Sequence, residues 1–385
     1  GDGGRDLQAT LDAASDGDTV VVPKGNWPGP IVIRNGVVLR GEGATIKGNG
    51  SGTVIRVEGA GAEVRNLNVT DSGDERGGPD ACIYVAGTAR AAKIVGCHLR
   101  RCLFGIWLHE VKDALIADNV VVGSETGHRS NRGNGIHLFD SDHLIVRDNV
   151  ITGGRDGIYV SAVEDTLIAG NLTERTRYGV HYMFSYRNTL RGNIARHNSA
   201  GYALMQSRNL IVEDNLAEGN DGHGILFRDA QYSRIHGNRS VRNGEGLFFF
   251  SSTENTITDN RIIGNEVGAR IWAGSVRNVV SGNVFAGNRR QIFYVSTKDL
   301  VWGVKQRGNL WGDYLGWDQD GDGVGDRPYR VDSFTANIIH RFPSAALLLR
   351  SPALELLSHL EQRMPLLRVA TVIDMRPLMR RGVRP

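Results

Sequence analysis

Apolar and polar residues alternate along this chain in short bursts that return every 22 or 23 residues, as in GIYVSA from Gly157, GVHYMF from Gly179 and GILFRD from Gly224. A period of two over four to six residues, bounded by Gly, Asn and Asp, predicts strands and no helices. An Asn marks the same point of each unit: Asn119, Asn149, Asn171, Asn193, Asn215, Asn238, Asn260, Asn283 and Asn309. A Gly-apolar pair precedes the first eight of these, beginning at Gly105, Gly135, Gly157, Gly179, Gly201, Gly224, Gly246 and Gly268. A second Asn follows five residues later at Asn198, Asn220, Asn243, Asn265 and Asn288.

Repeats of this length, made of short strands, predict a solenoid with one coil per repeat. The fold class expected is all-β, a right-handed parallel β-helix, with the hand set by the usual crossover rule. Stacked Asn side chains at a turn can bond the next coil's backbone and one another. The segment DLQATLDAASDGD is expected to form a short helix capping the open first coil. The divisions expected are a cap at 1–22, the β-helix at 23–312, an acidic loop and closing segment at 313–342, and a tail at 343–385.

The repeat also gives each side chain a direction. Counting from the Gly, the first and third following positions should point inward, as Val180 and Tyr182 do. The second and fourth should point outward: Trp107/His109, His137/Phe139, Tyr159/Ser161, His181/Met183, Ala203/Met205, Leu226/Arg228, Phe248/Phe250 and Arg270/Trp272. A solvated sheet face should be polar at these positions. This stripe is instead aromatic, His and Met, with two Arg and no carboxylate. It could be covered by the chain's own tail or loops, could be a docking surface for another protein, or could handle a soft metal such as Cu(I). The residues for the last reading are His109, His137, His181, Met183 and Met205; those for a partner surface are Trp107, Phe139, Tyr159, Phe248, Phe250 and Trp272. Polysaccharide lyases and hydrolases of this shape need carboxylates, or a base with a cation, on an outer face. The stripe as read lacks them, so hydrolysis is not expected, while sugar binding by stacking on Trp107, Tyr159 and Phe248 stays open.

One interval is longer than its counterparts. The extra eight residues between Asn119 and Gly135 must leave the coil as a loop holding His128 and Arg129, either a recognition element or a tolerated insertion. Past the last coil, GNLWGDYLGWDQDGDGVGDRPY places Asp318, Asp320 and Asp322 before Gly323, the front half of a calcium loop, with Asp326 at the ninth position. Tyr329 stands where a bidentate acid would close an EF-hand, so the candidate is a structural Ca²⁺ on a turn or simply an acidic solvated turn.

The net charge of +3 leaves no basic footprint for nucleic acid. From Pro343 the Asn period ends, and seven Arg stand against three acids. Leu347, Leu354, Leu357 and Leu360 can share a helical stripe, with Arg363, Arg368 and Arg376 supplying charge. Such a tail can lie at a membrane surface, pack on a membrane protein or fold back on the solenoid. No apolar run reaches membrane-spanning length. Cys82, Cys97 and Cys102 are too few for a disulfide framework, and three reduced, buried thiols are expected rather than one bridge and a free thiol. The chain opens at Gly1 without a signal peptide, as a cytosolic or a processed, exported protein would.

Taken together, the capping segment, the Asn-ladder coils, the block from Gly308 to Tyr329 and the basic Leu-rich tail resemble the NosD family. That resemblance implies a non-enzymatic, membrane-associated periplasmic protein that works in maturation of the copper centres of nitrous oxide reductase. It implies partners as well: an ABC transporter permease and its ATPase, a membrane-anchored copper chaperone, and the reductase. The tail would then be a permease-docking element, and the His/Met stripe a chaperone- or copper-facing surface. The alternative is a polysaccharide-binding or polysaccharide-modifying β-helix.

Overall fold

In a computed structural model the chain is a right-handed parallel β-helix of three long sheets, with 12, 13 and 12 strands. The structure describes residues 6–272, 274–296, 298–303, 307–331 and 371–379, together with the helical positions 352, 356 and 360. Every third strand stacks in the same sheet, so each coil contributes one strand to each face. The expected helix spans Leu7–Ala13; Asp6 caps it by accepting from the Gln8 N–H, and Leu7 and Leu11 seal the first coil's core. The cap is shorter than expected, because Thr19–Val22 already pairs with Val38–Gly41 as the first strand of the first sheet.

The interior is filled by ladders of apolar residues, one from each coil, such as Ile136, Ile158 and Val180, each fully buried. The main Asn ladder runs unbroken: the side-chain oxygen of each Asn from Asn149 to Asn309 accepts from the backbone and amide nitrogens of the Asn one coil before. The residue before each ladder Asn takes left-handed backbone, with φ between 55° and 70° from Asp118 to Gly282. Only Gly, and less readily Asp or Asn, adopts that conformation cheaply, which is why these positions hold only Asp and Gly.

The chain's C-terminal portion departs from the expected division. Strand Val372–Asp374 inserts between Leu300–Trp302 and Tyr329–Val331, forming a three-stranded sheet at the end of the solenoid. The fully buried Asp374 takes the place of the next ladder Asn: its Oδ2 accepts from the Asn309 N–H at 2.7 Å, from the Asn309 amide at 3.0 Å and from the Trp311 indole at 3.0 Å. Phe285, Trp311 and Tyr329 stack beneath it. Residues 371–379 therefore belong to the body, and a tail starting at 343 cannot run free to the terminus.

The cysteine expectation is overturned as well. Cys82 and Cys102 form a disulfide with a Cα–Cα separation of 5.5 Å, and Cys97 is free and buried. Their 20-residue separation is nearly one coil, which brings them side by side on adjacent turns. Burial pushes the Cys97 thiol up to about 11, so it is not a thiolate available to a metal.

Candidate functional site on the third sheet

The stripe lies on the outer face of the third sheet, and its register is regular. Trp107, His137, Tyr159, His181, Ala203, Leu226, Phe248 and Arg270 stand in one row across successive strands. His109, Phe139, Ser161, Met183, Met205, Arg228 and Phe250 form a parallel row. The loop between Asn119 and Gly135 does not disturb either row. It is a compact excursion in which the Arg132 guanidinium donates to the carbonyls of Glu125, Thr126 and Gly127. Arg76 leans on it through Asn131, and Arg175 pairs with Glu125 at 2.7 Å. His128, exposed at its edge, bonds to Ser130.

Two expectations about this face are corrected. The first concerns exposure: Phe139, Phe250 and Trp272 are exposed, but His181 is only 6 % exposed and Met205 9 %, and Ala203 and Leu226 are buried with them. Neighbours on the face close over the centre of the stripe, with Tyr178, Met183 and Phe248 packing on Ala203, Met205 and Leu226.

The second correction is that the face does hold carboxylates. The Gly that opens each strand points inward with no room for a side chain; a Cβ at Gly157 would lie 2.5 Å from the Gly179 carbonyl. Two successive residues therefore face the core, and the residue before the Gly swings to the outer face. Pairing follows suit, from Asp156↔Tyr178 directly to Ile158↔Val180. This adds a third outward row that alternation counted from the Gly misses: Asp156, Tyr178, Ala200, His223, Glu245, Val267 and Arg290.

Both acids on that row are held in charged networks, Asp156 fully buried and Glu245 partly so. Asp156, fully buried, receives Arg177 Nε at 2.8 Å and Nη2 at 2.6 Å, and lies 3.0 Å from His181 Nδ1. Burial works to raise its pKa, but the bonds from His181 and Arg177 outweigh it and leave the carboxyl below its usual range. Glu245 makes a similar arrangement four coils on, between His223 at 3.0 Å and Arg270, and is likewise held below its usual value although partial burial works to raise it. Each carboxylate is committed to an arginine, so neither stands as a free acid or base.

The five candidate metal ligands are not all brought together. His137 lies flat on Trp107, with ring centres 4.5 Å apart, and its Nδ1 meets the Asn134 amide at 3.3 Å. Burial, reinforced by Arg155, pushes its pKa down to about 4, so the ring is neutral near pH 7. Tyr159 separates it from His181. His109 is further off, against Phe139 and 3.2 Å from the Tyr84 hydroxyl. His181, Met183 and Met205 are brought together: His181 and Met183 share a face of one strand, and Met205 is paired directly with Met183. Imidazole and thioether donors without carboxylate or thiolate fit a soft monovalent ion.

Elsewhere, oxygens of Asp318, Asp320 and Asp322 lie within 4.8 Å of one another, the one such acidic group among the described residues. Asp326 is not part of it; its carboxylate accepts from the Gln319 N–H. Of the docking residues, Leu360 is helical and exposed, and Arg376 lies beside Asp374 with its guanidinium 3.9 Å from Asp322. Leu347, Leu354, Leu357, Arg363 and Arg368 lie outside the described residues.

Comparison with known proteins gives this geometry a family. The sequence model of a family described as "Periplasmic copper-binding protein (NosD)" matches residues 122–316, and one for a right-handed β-helix region matches residues 25–171. The chain is 37% identical over 371 residues to a "Probable ABC transporter binding protein NosD" of Pseudomonas aeruginosa, covering 92% of this chain and 87% of that protein. The chain belongs to the NosD family. A second NosD relative, from Stutzerimonas stutzeri, is 34% identical over 375 residues, covering 93% of this chain and 86% of its own length. Solved structures extend the fold beyond NosD proteins. The Streptococcus pneumoniae surface adhesin PfbA matches with a TM-score of 0.57 at 12% identity, over 74% of this chain and 87% of that one. The alginate lyase AlyF-OU02 matches with a TM-score of 0.55 at 14% identity, over 81% and 85%. At such identities these neighbours share the β-helix and say nothing of substrate. Both NosD relatives are named as transporter binding proteins, not as enzymes.

Proposed function

We propose that this chain is a non-catalytic periplasmic accessory protein of an ABC transporter, and that it serves assembly of the copper–sulfur centre of nitrous oxide reductase. The observation that carries this reading is the third-sheet face, where a methionine pair in register stands beside His181 on a surface that also carries aromatic side chains. A membrane-anchored copper chaperone would meet this face, bringing Cu(I) as cargo. The chain would relay that copper or a sulfur species, or hold the immature reductase beside the permease. Phe139, Phe250 and Trp272, exposed along the same face, suit a protein partner's apolar contact. The Cys82–Cys102 bridge fits an oxidising compartment.

Among the described residues no helix is long and apolar enough to cross a membrane. Membrane association is therefore assigned to docking on the permease through the Leu- and Arg-rich stretch from residue 343, with Arg376 at the edge of the body. The reading is tested by partner identity: the tagged chain, captured from solubilised membranes, should bring the permease and ATPase with it.

The acidic turn is assigned a structural Ca²⁺ held by Asp318, Asp320 and Asp322, because three carboxylates this close repel one another without a cation. Removing calcium with a chelator should lower the melting temperature, and adding Ca²⁺ back should restore it. An unchanged melting curve would remove the ion from the account.

A further inference from the structure

His181 is buried to within 6 % of full enclosure, yet its Nε2 has no hydrogen-bond partner. Its other nitrogen explains what that atom presents. Asp156, held as a carboxylate by Arg177, can only accept, and its Oδ2 lies 3.0 Å from Nδ1; Arg177 Nη2 is farther away, at 3.4 Å. The acceptor at Nδ1 therefore selects the tautomer with the proton on that nitrogen, in which the lone pair is on Nε2. Carboxylate-held histidines of this kind are the usual metal ligands of proteins, because the outer bond fixes the tautomer and the ring's aim.

The surroundings narrow the ion. Tyr159 and Tyr178 hold the ring edge-on, at 5.1 Å and 4.8 Å. On the next strand the directly paired residue is Ala203, whose methyl offers no competing polar group. Met183 and Met205 stand together one outward position along, their side chains in one apolar cluster with Tyr178, Leu226 and Phe248. Thioether sulfur is a poor partner for an N–H but a good ligand for a soft ion. A dry, apolar setting penalises a dication more than a monocation, and the nearest carboxylate is already neutralised by Arg177.

We propose that His181 Nε2 with the thioethers of Met183 and Met205 forms a Cu(I) site, in which Asp156 and Arg177 are positioning residues and Tyr178 is the cover. This site rests on the copper-relay reading and deepens it, assigning the metal contact to three residues and leaving His109 and His137 to the aromatic surface.

The test is anaerobic titration of the full chain with Cu(I) against a competing chelator, together with X-ray absorption at the copper edge. The wild-type protein should bind one Cu(I) with sulfur and imidazole scatterers. Met183→Ala with Met205→Ala should remove the sulfur signal, and His181→Ala should weaken binding by about 100-fold or more. Asp156→Ala with Arg177→Ala, which removes both charges of the clamp, should weaken it by roughly 10- to 100-fold. Asp156→Asn, which keeps an acceptor for Nδ1–H and the side-chain shape, should recover most of that loss, and it covers the case in which the double variant fails to fold. A sulfur-free spectrum, or a His181→Ala protein that binds Cu(I) as the wild type does, overturns the site. Membrane capture separates the two levels. If the transporter co-purifies and His181→Ala has no effect, the site falls and the accessory role stands. If copper binds as described and no transporter co-purifies, the role falls and the site stands.

Discussion

Asp374→Ala should unseat the C-terminal end of the solenoid at a cost of about 3–6 kcal/mol, since it leaves several buried donors unmatched at about 1–3 kcal/mol each. The Asp374 carboxylate terminates the Asn ladder, accepting from the Asn309 backbone, the Asn309 amide and the Trp311 indole in a site with no solvent exposure. Alanine supplies no acceptor in their place. The strand that carries Asp374 also joins Leu300–Trp302 to Tyr329–Val331, so losing it exposes the stack of Trp302, Trp311 and Tyr329. Asp374→Asn supplies an amide oxygen in the ladder's own style and should recover much of the loss. Denaturant unfolding with Trp fluorescence would follow both variants, because Trp302 and Trp311 lie in the affected stack. A cost below about 1 kcal/mol for the alanine variant would mean that the cap is held by something else.

Asn215→Ala should break the ladder from within, at a cost of roughly 3 kcal/mol or more. The Asn215 side chain accepts from the Asn193 N–H at 2.9 Å and from the Asn193 amide at 3.0 Å, and donates to the Leu190 carbonyl at 2.8 Å and to Asn238 at 2.9 Å. Alanine leaves the buried Asn193 N–H with no acceptor and opens a small cavity at the turn. Each coil touches only its neighbours, so the damage should be local before it is global. Amide exchange should accelerate in the coils around Asn193 and Asn238 and stay unchanged near the N-terminal helix. Uniform acceleration along the chain would contradict a nearest-neighbour solenoid.

The solenoid was legible in the sequence because every coil repeats the same test. A single Asn at a turn is ambiguous, but nine at one phase are not, and the alternation after each Gly placed Val180 and Tyr182 in the core correctly. The candidate site was half legible. The row holding His181 and its neighbours followed from alternation, and so did the meeting of Met183 and Met205. Asp156 and Glu245 did not, because the inward Gly breaks strict alternation and turns the preceding residue outward. The signal was present as a polar or aromatic residue before the Gly, in DG, YG, HG and EG, and its meaning depends on a backbone bulge that composition does not disclose. Burial of His181 was hidden for a different reason: its cover comes from Tyr178 and from neighbouring coils. Strand Val372–Asp374 was lost within a Leu- and Arg-rich stretch because three residues are too few to show a period. Its pairing partners lie far away in the chain.

That hidden strand decides how the docking role must be tested. Truncation after Phe342 would remove the cap along with the basic stretch, and any lost partner could then be blamed on misfolding. Replacing residues 343–370 with a short Gly/Ser linker keeps Thr371–Met379, whose strand begins beside Val331 in an antiparallel pair. The most direct measurement is affinity capture of the wild-type and linker-replaced chains from detergent-solubilised membranes of cells that express the transporter. The account predicts that the wild-type chain brings down the ABC permease with its ATPase and that the linker variant, equally well folded, brings down neither. Recovery of the wild-type chain with no ABC permease would contradict it.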